Sequence, residues 1–446
     1  MRHNRGSKLY NLGLRTALCL CALTCTSAFL FAQQTTDKPA PTADTQDVKP
    51  TVLVMPSYSQ NIALLGTDQR YMDLGTLQTR RRTFFMYGMG VSESYVHNFA
   101  ENSSAQDNSQ FLWSPHLAVV NASNHSSFSI QYAPFVVQST SGPSSRQVFH
   151  AGNIAFGQPI APNWGLLLSS SNTYGSDTSR LLSPLAFDVN KGVPVADPSS
   201  AIFQFNRGKV FTTTNSAALT WQKSASQAIS FSAQESYFSE LDGGPSNNST
   251  FAQVSYSAAV SPRTSVNVGA NYYHQAFFVA SCDGYGFTFG ISRQVGRHLN
   301  LAVAGGPEFA TASCNKGLGG NYDISISYPL SRRSRVGLTA GRSYKSNYLA
   351  NTKWSDTAAV SYARQLSQAF EINLDSGYAR SVRAQTGLGS YVGYFVGANL
   401  SWKVSRTVAL STAYRRFEQV SGGPILGQNV ALITLGWNPL PVRIVK

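Results

Sequence analysis

The sequence predicts an all-β fold: a transmembrane, antiparallel up-and-down β-barrel of about 18 strands (16–18), with short turns at one end and long loops at the other. Three observations predict it. From Phe84 onward, segments of about ten residues alternate apolar with small or polar side chains, and such alternation gives a strand one apolar and one wet face. The connections between these segments alternate between short and long. Only 13% of residues are charged, against roughly 25% in soluble domains, yet mean hydropathy is −0.14 and past the N-terminus no run approaches the roughly 18 apolar residues of a spanning helix.

Along the 446-residue chain, Arg2, Arg5, Lys8 and Arg15 precede an apolar stretch from Thr16 to Phe31, with Ala32 at a cleavage position. Residues 1–32 therefore read as a signal peptide for export. Cys25 follows Ala22-Leu23-Thr24 and lacks the small residue found just before a lipidated cysteine. Removing the signal takes away four cations and no carboxylate, so the net charge falls from +14 to +10. Residues 33–50, QQTTDKPAPTADTQDVKP, are polar, rich in Pro and Thr and without periodicity, as in a flexible linker. Residues 51–80 hold a short apolar VLVMP and run into Arg80, Arg81 and Arg82. Residues 33–82 are thus expected to be a flexible segment, a candidate arm or plug. The barrel is expected over 83–438, with 439–446 a C-terminal tail.

The strand pattern recurs throughout. In SVNVGANYY, Val266, Val268, Ala270 and Tyr272 oppose Asn267, Gly269 and Asn271. In NYDISISY, Tyr322, Ile324, Ile326 and Tyr328 oppose Asp323, Ser325 and Ser327. In AFEINLDSGYAR, Phe370, Ile372 and Leu374 oppose Glu371, Asn373 and Asp375. In YVGYFVGANLSWK, Tyr394, Val396, Leu400 and Trp402 oppose Gly393, Gly397, Asn399 and Ser401, with Phe395 the exception. Eighteen such segments centre near 90, 115, 131, 152, 168, 214, 233, 254, 270, 288, 304, 325, 339, 359, 374, 396, 411 and 433. Short connections fall near 162, 225, 263, 297, 333, 367 and 406; longer ones at about 97–110, 138–146, 177–207, 239–248, 276–283, 310–319, 343–352, 380–388 and 418–427. An even count places both chain ends on the short-turn side.

Short turns on one side, long loops on the other, an even strand number and a signal peptide are features in which residues 84–438 resemble the porin-like bacterial outer-membrane β-barrel proteins. The resemblance is architectural and rests on no family motif. It implies an outer-membrane location, periplasmic short turns, extracellular long loops and a sheet closed because lipid cannot satisfy an open edge. The last strand, NVALITLGW, places Ala431, Ile433, Leu435 and Trp437 on one face. It is similar to the aromatic-ended strand that barrel-assembly machinery recognises, although NPLPVRIVK continues beyond it.

On this reading Phe370, Ile372, Leu374, Tyr394, Leu400, Trp402 and Trp437 face lipid, and Asp323, Glu371, Asn373, Asp375 and Asn399 face the lumen. A charge on the lipid face at the bilayer midplane costs about 2–4 kcal/mol, so segregation by parity is expected. Glu235 and Arg342 break the pattern, as residues near an interface do. The mature cysteines Cys282 and Cys314 fall in or beside neighbouring long loops and are disulfide candidates in an oxidising compartment. GYGFTFG at 284–290 has the wrong spacing for a phosphate loop, and Gly286 and Gly290 are expected to relieve crowding on the lumen face.

No histidine stands in HExxH or at zinc-ligand spacing, so no metal, cofactor or catalytic residue is assigned and the chain is read as a non-enzyme. His150, in QVFHAGN, is a lumen or interface residue and the one histidine about which a hydrolase site could be built. Arg263, Arg297, Arg332, Arg333, Arg335 and Arg406 lie in or beside short turns without the interleaved aromatics of a nucleic-acid surface. Arg342, Lys345, Lys353, Arg380, Arg383, Arg415 and Arg416, in outer loops and strand ends, are candidates for lipopolysaccharide phosphates or for biasing a pore toward anions. The expected function is a porin-like channel for passive or substrate-biased diffusion of small polar solutes, with the 177–207 loop folding over the mouth. The alternative is a non-conducting barrel acting as a scaffold or an export or assembly component, with residues 33–82 as plug or partner arm. A homo-oligomer or a periplasmic partner is compatible with either.

Overall fold

A computed structural model of the chain describes residues 82–100, 103–122, 126–140, 146–176, 209–241, 246–276, 281–296, 298–311, 317–343, 352–383, 390–421, 425–439 and 442–443. The signal peptide, residues 33–81, Cys314, Lys345 and the 177–207 connection lie outside the described residues. The strands are β1 (Arg82–Ala100), β2 (Ser103–Ala122), β3 (Ser127–Ser139), β4 (Arg146–Ala161), β5 (Trp164–Ser176), β6 (Lys209–Ser224), β7 (Gln227–Glu240), β8 (Ser246–Ser261), β9 (Thr264–Ala276) and β10 (Ser281–Val295). They continue as β11 (Leu299–Ala310), β12 (Gly317–Ser331), β13 (Ser334–Ser343), β14 (Thr352–Gln365), β15 (Phe370–Arg383), β16 (Ser390–Lys403), β17 (Val408–Ser421), β18 (Ile425–Trp437) and the two-residue β19 (Val442–Arg443). Among the described residues there is no helix. Each of the eighteen expected segment centres falls inside one of β1–β18.

Every strand from β1 to β18 pairs antiparallel with its neighbours in sequence, and β1 also pairs with β18, from Met89↔Trp437 to Ala100↔Leu426. The sheet is therefore a closed ring, joined at that seam over Met89–Ala100 of β1. β19 extends the seam by setting Val442 and Arg443 against Phe85 and Phe84, so the C-terminal segment also contributes to closure.

The short connections are built on serine. In five of them a serine hydroxyl accepts from the backbone N–H two residues on: Ser226 to Ser224, Arg263 to Ser261, Arg333 to Ser331, Ala369 to Ser367 and Thr407 to Ser405, at 3.1–3.3 Å. Such a side chain satisfies a turn donor that the ladder cannot reach. The turn in turn holds the register of the hairpin it joins.

At the opposite end the strands run further than their composition indicates. The connection expected at 97–110 is mostly strand, since β1 reaches Ala100 and β2 resumes at Ser103; β10 begins at Ser281, β15 reaches Arg383, and β17 reaches Ser421 with β18 from Ile425. ENSSAQDNSQ has no apolar alternation and so reads as loop, yet ladder pairing is made by the backbone, and Ser103 and Gln106 to Gln110 pair with β1 without it. A chain lacking residues 425–446 is expected to lose the heat-modifiable gel mobility of a folded barrel, because β1 and β17 would both be left as edges. A chain lacking only 442–446 is expected to keep it.

Candidate functional site

Closure divides the side chains into an inward and an outward set. On β16 the inward positions Gly393, Phe395, Gly397, Asn399 and Ser401 are buried, while Tyr394, Val396, Leu400 and Trp402 between them are exposed. The same alternation runs through β3, where Gln131, Ala133, Phe135 and Val137 are buried and Ile130 and Tyr132 exposed.

The inward face has three sectors. Across β5–β8 it is a wall of hydroxyls in contact: Ser169 with Ser216 at 2.6 Å, Thr173 with Thr212, Thr214 with Ser236 at 3.3 Å, and Ser230 with Ser255 at 2.9 Å. Gln234 adds a bond from Nε2 to Ser236 Oγ at 3.1 Å. Cross-strand hydroxyl pairs of this kind contribute about 0.2–1 kcal/mol each. On β9 and β10, larger side chains lie over glycines: Tyr273 over Gly284, Asn271 over Gly286 and Asn267 over Gly290. A Cβ at Gly286 would sit 2.7 Å from Asn271 Oδ1. The glycines of GYGFTFG thus make room for their β9 neighbours, the crowding relief expected of them.

The third sector, β15–β18 with β1–β3, is packed. Phe395 is fully buried, lies over Gly377 and meets the Phe417 ring at 5.9 Å. Val96, Leu112, Val137, Ala379, Ala413, Val430 and Leu432 complete the cluster. Phe395 is therefore no error of parity but an inward apolar residue. Beside it Asp375, Gly397 and Arg415 form one register row across three strands, and Arg415 Nη2 donates to Asp375 Oδ2 at 2.7 Å directly over Gly397. A Cβ at 397 would fall 2.8 Å from Asp375 Oδ1 and 2.9 Å from Arg415 Nε. The guanidinium also lies 5.0 Å from the Phe395 ring centroid, a desolvated cation–π contact.

Four of the five residues expected on the inward face come together. Glu371, Asn373 and Asp375 follow one another on β15, Asn373 sits opposite Asn399, and Asn373 Nδ2 donates to Glu371 Oε1 at 3.3 Å. The Oδ1 atoms of Asn373 and Asn399 are buried and accept no hydrogen bond. Asp323 shares their parity but stands apart on β12, opposite Gly341. Arg415 departs from its expected place among the cations of outer loops and strand ends: it is mid-strand in β17, buried, inward and paired with Asp375. Its alternation with Tyr414 and Arg416 was the available signal.

The outward set is exposed where it was expected to be. Phe370 and Trp402 stack at 5.4 Å, and Tyr394, Leu400 and Trp437 are exposed, with Ile372 and Leu374 half-buried in the same face. Trp164 and Trp221 stack at 5.8 Å near the short turns. The two parity exceptions are outward: Arg342 lies at the long-connection end of β13, and Glu235 lies within β7 between Phe231 and Tyr237. Arg342 forks onto Asp356 through Nε and Nη2 at 2.6 and 3.0 Å and lies 5.8 Å from the Tyr322 ring centroid. Glu235 accepts from Asn248 Nδ2 at 3.4 Å. His150 is outward between Tyr132, which it meets at 2.7 Å through Nδ1, and Tyr174, with no serine–carboxylate pair in those contacts. Cys282 is inward, buried at the start of β10 and disulfide-bonded. Among the described residues no cluster of metal-ligating side chains is present.

No protein-family model matches the sequence, and no curated protein matches it. Solved structures do. The chain is similar to the crystal structure of OccAB4 of Acinetobacter baumannii at 11% identity and a TM-score of 0.44, covering 81% of this chain and 99% of that one. It is similar to OpdL of Pseudomonas aeruginosa at 12% identity and 0.42, covering 80% and 99%. It is also similar to OccK2 (OpdF) of the same species in complex with glucuronate, at 10% identity and 0.45, covering 80% and 97%.

Replacing Arg415 by Met strands the Asp375 carboxylate and is expected to lower unfolding free energy by about 3–5 kcal/mol in a urea titration of the refolded barrel. Adding Asp375→Leu is expected to recover most of that loss. Gly397→Val, which wedges the pair apart, is expected to remove about 1–3 kcal/mol.

Proposed function

We propose that the protein is a porin-like channel of the bacterial outer membrane through which small polar solutes diffuse. The observation that carries this reading is the division of a closed 18-strand ring into an aromatic and aliphatic outward surface and a hydroxyl-rich inward wall. Exposed residues such as Phe289, Val268 and Ile433 are at home in hydrocarbon, whereas Ser and Thr rows favour water. Rings of 16–18 strands are wide enough for an aqueous lumen. The lipid-facing set is Phe370, Ile372, Leu374, Tyr394, Leu400, Trp402 and Trp437, and the lumen-facing set Asp323, Glu371, Asn373, Asp375 and Asn399. Outward Arg342 and Arg380, flanking Asp356 at the long-connection end, would meet lipopolysaccharide, and the aromatic-ended β18 the assembly machinery. Cys282 would be bonded to Cys314, tying the start of β10 to the connection that follows β11.

Because Arg415 and Asp375 neutralise each other, the inward carboxylates Asp323 and Glu371, with buried Glu308 on neighbouring β11, set the sign of the wall there. The refolded mature chain in a planar bilayer under a salt gradient is expected to show stable conductance steps with a cation-selective reversal potential, and Asp323→Asn with Glu371→Gln to move that potential toward zero. A heat-modifiable barrel that stays electrically silent would sink the channel reading. Peptide mapping without reductant is expected to find the Cys282 and Cys314 peptides linked.

One observation favours the second reading, a barrel that does not conduct unaided. The inward cluster around Phe395, Phe417, Val430 and Leu432 is buried and apolar, unlike a wall facing only water. Conductance that rises several-fold when residues 33–82 are deleted would favour it.

A further inference from the structure

The outward surface of β5–β8 differs from the rest of the wall. Ser170, Asn215, Glu235 and Thr250 occupy one register row across these four strands, all on the outward face. Ser170 Oγ donates to Asn215 Oδ1 at 2.8 Å, and Asn172 Nδ2 donates to Ser170 Oγ at 3.0 Å. The row lies inside the apolar band. On β5 Ser170 stands between outward Trp164 and Tyr174, on β6 Asn215 between Trp221 and Phe211, and on β7 Glu235 between Phe231 and Tyr237. Toward the short turns the next outward row is Ala217, Ala233 and Ala252, a flat strip over three strands. Glu93, another exposed outward carboxylate, has Ile433 and Phe111 beside it.

Lipid chains offer these groups no hydrogen bonds, and each unmet polar group in hydrocarbon costs several kcal/mol. Within the barrel Asn215 uses only its Oδ1, and Glu235 receives a single 3.4 Å contact from Asn248. An amide carries two N–H donors and a carboxylate about four acceptor sites. Donor and acceptor therefore stand on adjacent strands of one surface, which makes that surface complementary to a rotated copy of itself. The alanine strip lets two such walls approach closely, as small residues do between membrane helices.

We propose that the outward face of β5–β8, centred on Asn215, Ala233 and Glu235, is the interface through which copies of this chain associate in the bilayer. The contact takes a second copy because amide donors and the carboxylate face each other across it in both directions. This rests on the membrane-barrel reading above.

The test is the mass of the full mature chain in lipid nanodiscs by native mass spectrometry, with heat-modifiable gel mobility recorded for every sample. The wild type is expected as an oligomer. Ala233→Trp, which sets a bulky group on the flat strip yet suits an outward lipid-facing position, is expected to lower the oligomer fraction about tenfold, a change worth roughly 1.4 kcal/mol. Val396→Trp, on the exposed outward face of β16, is expected to leave it unchanged. Should Ala233→Trp not fold, Ala217→Trp takes its place with the same criterion. A folded wild type that is monomeric, or a folded tryptophan variant on the strip as oligomeric as the wild type, overturns the interface alone. A wild type that never becomes heat-modifiable overturns the membrane reading together with it.

Discussion

The structure depends on one constraint: a sheet one layer thick has no second layer to cover its edges, so its backbone groups are all satisfied only by joining the first strand to the last. β1 does this against β18 from Met89 to Ala100. Closure makes parity global. A slip of one residue between any two strands would turn a whole strand inside out, so the five serine-bonded turns, each holding the register of its hairpin, act for the entire ring. The segregation of Phe370, Ile372 and Leu374 from Glu371, Asn373 and Asp375 follows from that register and not from any packing between them.

Within the ring, inward side chains have room only where a neighbour gives way. The pairing of Asn271 with Gly286, Phe395 with Gly377, and the Asp375–Arg415 bridge with Gly397 are three versions of one solution, in which a long side chain lies flat across a strand that lacks a Cβ. For an ion pair this geometry matters twice. It brings the two charges to 2.7 Å across an intervening strand, and it holds them against an aromatic wall where water screens them little. The result is a firm, locally neutral patch on a face whose other half, across β5–β8, is lined by rotatable hydroxyls.

Strand number, face assignment and seven of the short turns were legible because alternation is a local signal that eighteen segments repeat. What lay beyond reach was whatever depends on two or three strands at once. Arg415 has inward parity in the middle of β17, but its partner is out of reach of one segment: Gly397 lies opposite it and Asp375 one strand further. Phe395 broke the polar parity of β16 because its contacts are Phe417 and Gly377 on other strands. The row of Ser170, Asn215, Glu235 and Thr250 is invisible in any one segment, where each reads as a stray polar residue. ENSSAQDNSQ was lost for the opposite reason: paired backbone needs no pattern of side chains. The turn serines were visible as letters, but SAS, SPR, SRR, SQA and SRT share too little for a motif until the hydrogen bonds align them.

The seam between β1 and β18 also has a consequence in time. A ribosome delivers a chain from its N-terminus, so β1 emerges before the other seventeen strands of the ring and its closing partner β18 after them, and the pairing of Phe84 and Phe85 with Arg443 and Val442 comes later still. Until then every intermediate carries two open edges and an apolar face with nothing to rest on, a species prone to aggregation. Hairpins can form early and locally, but the ring can close only once β18 has been made. The molecule is thus made in two separated acts, synthesis and closure, and must be kept in hand between them.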